Sequence, residues 1–161
     1  MRKLLTIMLM SASMGMANAV FAQDFARGTK AYEAKDYGTA LKEIRPLAEQ
    51  GHAGAQFLMG TMYRYGMGVT QSYKEEYRWN IKAAEKGYVG AHFELGWMYD
   101  KGQGVLQDNV YAHMWYNIAA SNGETMGETL REEIAKKMTA SDLSKAQDLA
   151  RVCVKKQYKD C

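Results

Sequence analysis

Apolar residues in the middle of the chain fall at spacings of three and four, which is the pattern of amphipathic helices. Residues 53–88 contain two such stripes, the first around Met59 and Met62 and the second around Trp79. Both stripes return 36 positions later, in residues 89–124. A period of this length predicts a solenoid, in which one helix pair buries its apolar face only by stacking on the next pair.

Glycines mark the turns and one position inside the helices. A Gly-x-Gly pair follows each first helix, where glycine permits the left-handed residue that ends a helix. Another glycine recurs inside each first helix, where it costs about 1 kcal/mol relative to alanine. Its recurrence indicates close approach of the partner helix, with Ala83-Ala84 and Ala119-Ala120 as the expected facing residues. The predicted structural glycines are Gly60, Gly66, Gly68, Gly96, Gly102 and Gly104.

Two tryptophans, Trp79 and Trp115, stand at matching positions of the two second helices. Because large apolar residues on a helical stripe usually belong to the core, we expect both to be buried beside the helix crossing. The alternative interpretation is a functional aromatic box built from the two indole rings.

The segments on either side of the two repeats follow the pattern less closely. Residues 23–52 form a contracted first unit, and Pro46 is expected to bend or interrupt its second helix. Residues 125–161 predict a helical cap that covers the edge of the last repeat. Residues 23–161 are therefore predicted to form one domain, an all-α, right-handed α-solenoid of antiparallel helix pairs with a C-terminal helical cap.

Residues 1–22 have the pattern of a secretory signal peptide. A basic head precedes an apolar stretch too short to cross a bilayer comfortably, and small residues follow before a cleavage position. Cleavage is expected after Ala22, with Ala19 as the second choice and an uncleaved membrane anchor as the alternative. We therefore expect a periplasmic or secreted protein with no stable membrane anchor after cleavage.

Net charge restricts the kind of partner. The whole chain carries a formal charge of +3, and loss of Arg2 and Lys3 with the signal peptide leaves it nearly neutral. Nonspecific nucleic-acid binding needs a strong cationic surface. We therefore expect no nucleic-acid partner, and we expect a monomer.

The two cysteines, Cys153 and Cys161, lie close together near the C-terminus. In an exported protein, an even pair at short spacing favours a disulfide. A continuous helix would hold their α-carbons about 12 Å apart, beyond the usual disulfide range, so the helix must end before Cys161. Free thiols or an intermolecular bridge are the alternatives. No metal site is expected, because the histidines lie elsewhere in the repeats.

The repeated residues resemble the Sel1-like repeat family, a relative of the tetratricopeptide arrays. The signatures Leu-Gly-x-Met-Tyr, Gly-x-Gly-Val, Trp-Tyr and Ala-Ala are all present in residues 91–123. Ser72 and Asn80 depart from the family pattern, which has an acid and an aromatic residue at these places. The resemblance implies a scaffold or adaptor that binds a protein or peptide on its concave face. In exported bacterial members it often implies an envelope or host-facing process.

Catalytic motifs are absent from the sequence that follows the signal peptide. It contains no Ser-x-x-Lys pair, Gly-x-Ser-x-Gly elbow or His-Glu-x-x-His pair, and Glu75-Glu76 and Glu132-Glu133 are expected to be solvated. We expect no catalytic residue and no cofactor. The alternatives are a cell-envelope hydrolase with paired carboxylates and a binder of peptidoglycan or penicillin-type ligands. The latter association belongs to a cysteine-rich branch of the family, whose per-repeat cysteines this chain lacks.

A partner is expected on the first helices, where several positions differ between the repeats while the framework stays fixed. Trp97 replaces Thr61 of the preceding repeat and is the predicted anchor, because an exposed tryptophan can supply much of an interface's energy. The competing interpretation is that Trp97 packs against the C-terminal cap. The predicted partner-binding residues are Trp97, Glu94, Lys101, Asp100, Arg64 and Tyr65.

Overall fold

The computed structural model describes residues 24–161, and all regular secondary structure in that part of the chain is helical. The helices form consecutive pairs. The first helices of the pairs are α1 (24–33), α3 (Ala53–Tyr65), α5 (Val89–Lys101) and α7 (Thr125–Ala135). The second helices are α2 (Tyr37–Glu49), α4 (Tyr73–Ala84), α6 (Asn109–Ser121) and α8 (Ala140–Lys155). The signal peptide predicted at residues 1–22 lies outside the described residues.

Helix packing follows the order of the chain. Within the repeats, α3 packs on α4 and α5 packs on α6, and between pairs α2 packs on α3 and α4 on α5. Both helices of the cap, α7 and α8, pack on α6. Such nearest-neighbour contacts define a solenoid, so the predicted all-α solenoid is confirmed. Over residues 24–161, none of the helices combines the length and apolarity needed to cross a membrane.

The departure from the family pattern at Ser72 leaves the start of α4 intact. Ser72 is the N-cap residue of α4, and its hydroxyl accepts a hydrogen bond from the Glu75 amide. At the start of α6, the Asp108 carboxylate accepts hydrogen bonds from the amides of Val110 and Tyr111. Serine and aspartate are both good N-cap residues, so the two second helices begin in the same way.

The first helices of the repeats end at glycines in the left-handed conformation. Gly66 and Gly102 have φ values of 67° and 65°, which glycine adopts without strain. The second glycine of the later loop, Gly104, lies directly against the start of α4. A Cβ atom there would come within 2.4 Å of the Tyr73 carbonyl oxygen.

The glycines inside α3 and α5 face different neighbours from those predicted. A Cβ on Gly60 would lie 2.9 Å from Oδ1 of Asn80, and a Cβ on Gly96 would lie 2.6 Å from the Tyr116 ring. The close approach is present, but the facing residue is the one that follows each tryptophan, not the alanine pair. The missing side chain gives a polar or aromatic group room to lie across the first helix.

Trp115 is buried as predicted, whereas Trp79 is only partly buried, and the prediction for Trp79 is wrong in this respect. The Trp115 side chain is 1% exposed and shares a core with Ala150 and Cys153 of α8. Trp79 packs against the core between α2 and α3, and the Lys82 ammonium lies 4.2 Å from its ring centroid. The cap covers Trp115, while a solvated lysine covers Trp79.

The predicted interruption at Pro46 is also wrong, because α2 continues through this residue to Glu49. Proline lacks the amide that would donate to the carbonyl of Lys42. Since Pro46 lies in the last part of α2, few helical hydrogen bonds follow it, and the missing one does not end the helix.

A disulfide between Cys153 and Cys161 folds the C-terminal tail back on the solenoid. α8 ends before the second cysteine, and the two α-carbons are 5.3 Å apart. Within the tail, the Tyr158 ring lies 4.5 Å from the His92 ring, and the Tyr158 hydroxyl lies 3.4 Å from Nδ2 of Asn122. The tail therefore contributes to the cover over the core of the second repeat.

We predict that Trp115→Ala lowers the free energy of unfolding by about 3–5 kcal/mol, because a fully buried indole leaves a large cavity. Trp79→Ala is the matched comparison, and a loss of roughly 1–2 kcal/mol is expected because less apolar area leaves water there on folding. Urea unfolding of both variants measures the difference. Equal losses would contradict the difference in burial.

We predict that the double variant Cys153→Ser, Cys161→Ser loses about 2 kcal/mol of stability, since a disulfide restricts the unfolded chain. Thermal unfolding with and without reductant compares the variant with the wild-type chain, and reductant should affect only the latter. Peptide mapping without reduction tests the pairing itself. Recovery of two free thiols under oxidising conditions would rule out the bond.

Candidate functional site

A cleft on the first-helix face, formed by α3, α5 and α7, brings together five of the six predicted partner-binding residues. Its volume is about 330 Å³. We refer to it as the Trp97 cleft, and its lining residues are Arg64, Phe93, Glu94, Trp97, Asp100, Lys101, Met126 and Leu130. Tyr65, the sixth predicted residue, is 59% exposed and lies beside the cleft. The guanidinium carbon of Arg64 is 5.5 Å from the Tyr65 ring centroid.

Trp97 contacts both the core and an arginine. It packs against the cluster of Ala112, Tyr116 and Ile134, the last of which belongs to the cap. The guanidinium carbon of Arg64 lies 3.9 Å from the centroid of the indole ring. The two interpretations drawn from the sequence are therefore compatible, because Trp97 packs against the cap and also lines the cleft.

Arg64, in the last turn of α3, connects this helix to α4 and α5. Its guanidinium forms an ion pair with Glu94 of α5, and its Nη1 lies 3.5 Å from Oε1 of Glu76 on α4. The side chain of Arg64 is only 15% exposed, so these charge interactions are poorly screened by water. One cation is thus shared between two carboxylates and an indole ring.

Loop glutamines fix the backbone at the ends of α3 and α5. Nε2 of Gln71 donates a hydrogen bond of 2.7 Å to the carbonyl of Arg64. Gln107, at the matching position of the next repeat, donates a 2.7 Å hydrogen bond to the carbonyl of Asp100. The same hydrogen bond from a loop glutamine therefore fixes the backbone of an arginine in one repeat and of an aspartate in the other.

Glu76 is buried, so the prediction that it is solvated is wrong. Its side chain is 1% exposed, and among the described residues its Oε2 has no hydrogen-bond partner. Burial raises the pKa of Glu76 to about 7; Arg64 opposes this shift and Glu94 adds to it. Burial also raises the pKa of Glu94, against the opposing effect of Arg64. Such a buried carboxyl group cannot reach a substrate in bulk solvent.

The sequence did contain one signal for the burial of Glu76. The matching position of the next repeat is Ala112, which is fully buried. A charged residue at a core position of a repeat requires a charged partner nearby. The adjacent Glu75 gives no such signal, and in the structure it forms an ordinary surface ion pair with Arg78 at 2.9 Å.

Asp100 and Lys101 supply a second ion pair to the cleft. Oδ2 of Asp100 lies 2.7 Å from Nζ of Lys101. The Asp100 side chain is 9% exposed, whereas that of Lys101 is 49% exposed. The carboxylate is therefore fixed, and its cation lies at the edge of the cleft.

A larger cleft, of about 490 Å³, lies between α4 and the C-terminal tail. The sequence did not indicate it, because it depends on how the disulfide folds the tail back. Its lining residues are Tyr77, Arg78, Ile81, Lys82, Glu85, Trp115, Tyr158, Asp160 and Cys161. None of the predicted partner-binding residues lies there. Across residues 24–161, no group of three or more His, Cys, Asp or Glu side chains is arranged to hold a metal ion.

Comparisons with known proteins identify the repeat and two solved relatives. The Sel1 repeat family model matches residues 53–88 and 89–124. No curated protein matches the chain. One similar structure is that of a protective antigen present in uropathogenic Escherichia coli strains, displaying an SLR fold, with a TM-score of 0.81 and 29% sequence identity. The match covers 86% of this chain and 30% of the antigen's chain. A Sel1 repeat protein from Oxalobacter formigenes has a TM-score of 0.64 at 34% identity, over 66% of this chain and 44% of its own. The chain thus spans less than half of either relative.

The raised pKa of Glu76 predicts that the protein becomes less stable as pH rises. A carboxyl group with a higher pKa in the folded state binds more protons when folded than when unfolded. The contribution of Glu76 to the free energy of unfolding therefore falls between pH 4.5, its ordinary value, and about pH 7. The expected loss is on the order of 3 kcal/mol.

Urea unfolding of the wild-type chain and of Glu76→Gln across this pH range measures the effect. We expect the free energy of unfolding of the variant to fall much less over this pH range, because glutamine does not titrate. Glu75→Gln is the matched control and should keep the wild-type dependence on pH. Parallel curves for the wild-type chain and Glu76→Gln would show that Glu76 does not titrate as described.

Proposed function

The chain belongs to the Sel1 repeat family, whose members are generally protein-interaction scaffolds, and on this basis we propose that it is an exported scaffold or adaptor that binds a protein or peptide in the Trp97 cleft. The observation that carries the proposal is the convergence of Arg64, Glu94 and Trp97 from two first helices in one cleft. These residues differ between the repeats, whereas the glycines and the loop glutamines are the same.

The composition of the cleft supports a macromolecular partner. Phe93, Met126 and Leu130 give it apolar walls, and Met126 is 60% exposed. Tryptophan and arginine are the residue types most often found at the energetic centre of protein interfaces. The volume of the cleft is at the lower end of the range for small-molecule sites, and it suits one or two side chains of a partner.

Export is supported by two independent features. The pattern of residues 1–22 is that of a signal peptide, and the Cys153–Cys161 disulfide is a bond that persists in oxidising compartments. The solved relative from uropathogenic Escherichia coli is a protective antigen. We place this chain in the periplasm or outside the cell.

Photocrosslinking from the cleft tests this function. A photoreactive residue at position 101 lies at the edge of the cleft, because Lys101 lines it and is exposed. We expect a crosslinked partner from this position in the native host and none from position 106. Leu106, 90% exposed in the loop between α5 and α6, provides the matched control site.

Substitution of tryptophan shows whether the crosslink depends on the cleft. Trp97→Ala should abolish the crosslink from position 101, and Trp79→Ala should preserve it. Both tryptophans are partly buried, and each has a cation over its ring. Trp79→Ala therefore controls for the general effect of losing an indole ring. A crosslink that survives in Trp97→Ala, or that forms equally from position 106, would refute binding in the Trp97 cleft.

A further inference from the structure

Carboxyl groups outnumber basic groups around the Trp97 cleft. Three carboxylates, those of Glu76, Glu94 and Asp100, face two cations, Arg64 and Lys101. Glu76 is buried with one oxygen unpartnered, so surface counterions cannot compensate its charge. Its pKa of about 7 leaves it partly ionised at neutral pH, and a further cation would favour the ionised form. A cation brought to the cleft therefore meets more carboxyl groups than basic groups.

The accessible acid is also the one beside the indole. The Glu94 side chain is 23% exposed although it pairs with Arg64, whereas the Asp100 side chain is 9% exposed. A carboxylate next to an aromatic ring is a favourable environment for a guanidinium or ammonium group. Arg64 demonstrates this chemistry within the chain, because it pairs with Glu94 and stacks on Trp97 at 3.9 Å.

The Trp79 site provides an internal comparison. Lys82 stacks on Trp79 at 4.2 Å, but no carboxylate lies within ion-pair distance of Lys82 among the described residues. A second cation brought to that ring would meet a lysine that has no ion-pair partner among the described residues. At Trp97, by contrast, two carboxyl groups lie within ion-pair distance of the stacked cation.

From this arrangement we infer that the Trp97 cleft selects a partner segment in which an arginine or lysine stands next to a bulky apolar residue. The basic group lies against Glu94 and the rim of Trp97, and the apolar side chain enters between Phe93 and Leu130. This inference rests on the proposed function, since it specifies the chemistry of the partner bound there.

Selection of displayed random peptides on the full chain tests the inference. Peptides that bind the wild-type chain but not Trp97→Ala are those that depend on the cleft. We expect them to be enriched in arginine or lysine beside aromatic or aliphatic residues. Sequences that depend on Trp97 but lack basic enrichment, or that are acidic, would overturn the inference and leave the proposed function standing. Photocrosslinking from position 101 tests the proposed function separately.

A selected peptide then allows a sharper measurement. Replacing its basic residue by a neutral residue of similar size, citrulline for arginine, should weaken binding about tenfold to the wild-type chain. In Glu94→Gln the same replacement should have a much smaller effect, while Glu128→Gln should behave like wild type. Glu128 is 62% exposed on α7 and does not line the cleft. An undiminished loss in Glu94→Gln would overturn the inference.

Discussion

The contact between Gly96 and Tyr116 positions much of the second repeat and of the Trp97 cleft. Because Gly96 has no side chain, the Tyr116 ring lies directly on α5 and is completely buried. Tyr116 then packs with Phe93, whose ring centroid is 5.8 Å away, and with Trp97 and Ile134. A methyl group at position 96 would displace this ring, and with it the surface on which the cap and Trp97 rest.

In both repeats a glycine of the first helix lies against a residue of the second helix, but the residues around this contact differ. In the earlier repeat, Asn80 occupies the position of Tyr116 and lies against Gly60. Nearby, Glu76 takes the place of Ala112, so a buried acid stands where the later repeat has a methyl group. The earlier junction is therefore more polar, and Arg64 extends from it toward α5. The earlier repeat thus has a charged residue, Glu76, at a position that serves only for packing in the later repeat.

Features that depend on local sequence could be predicted from the chain alone. The helical stripes and the helix-ending glycines each follow from spacing within one repeat. The family's usual acid before the second helix proved replaceable, because Ser72 caps α4 as Asp108 caps α6. In these cases the backbone geometry of a single unit determines the role of the residue.

Features that depend on distant residues could not be predicted in the same way. The burial of Glu76 requires Arg64 from α3 and Glu94 from α5, and no local pattern reports that three helices meet there. The different burial of Trp79 and Trp115, which stand at matching positions, depends on the helices that pack beside each repeat. The cleft beside the tail depends on where the C-terminal segment lies. The sequence grouped residues that share one cleft, but it did not indicate the ion pairs that join them.

The buried acid gives the strongest physical argument that the cleft is more than a packing defect. An alanine at position 76 would avoid the desolvation of a carboxylate, as Ala112 does in the next repeat. The arrangement instead lowers stability and holds Arg64 between Glu76 and Glu94, over the ring of Trp97. Local interactions that lower stability in this way are expected where a protein positions groups for binding. The buried acid and the ring of Trp97 thus meet at the same arginine, Arg64.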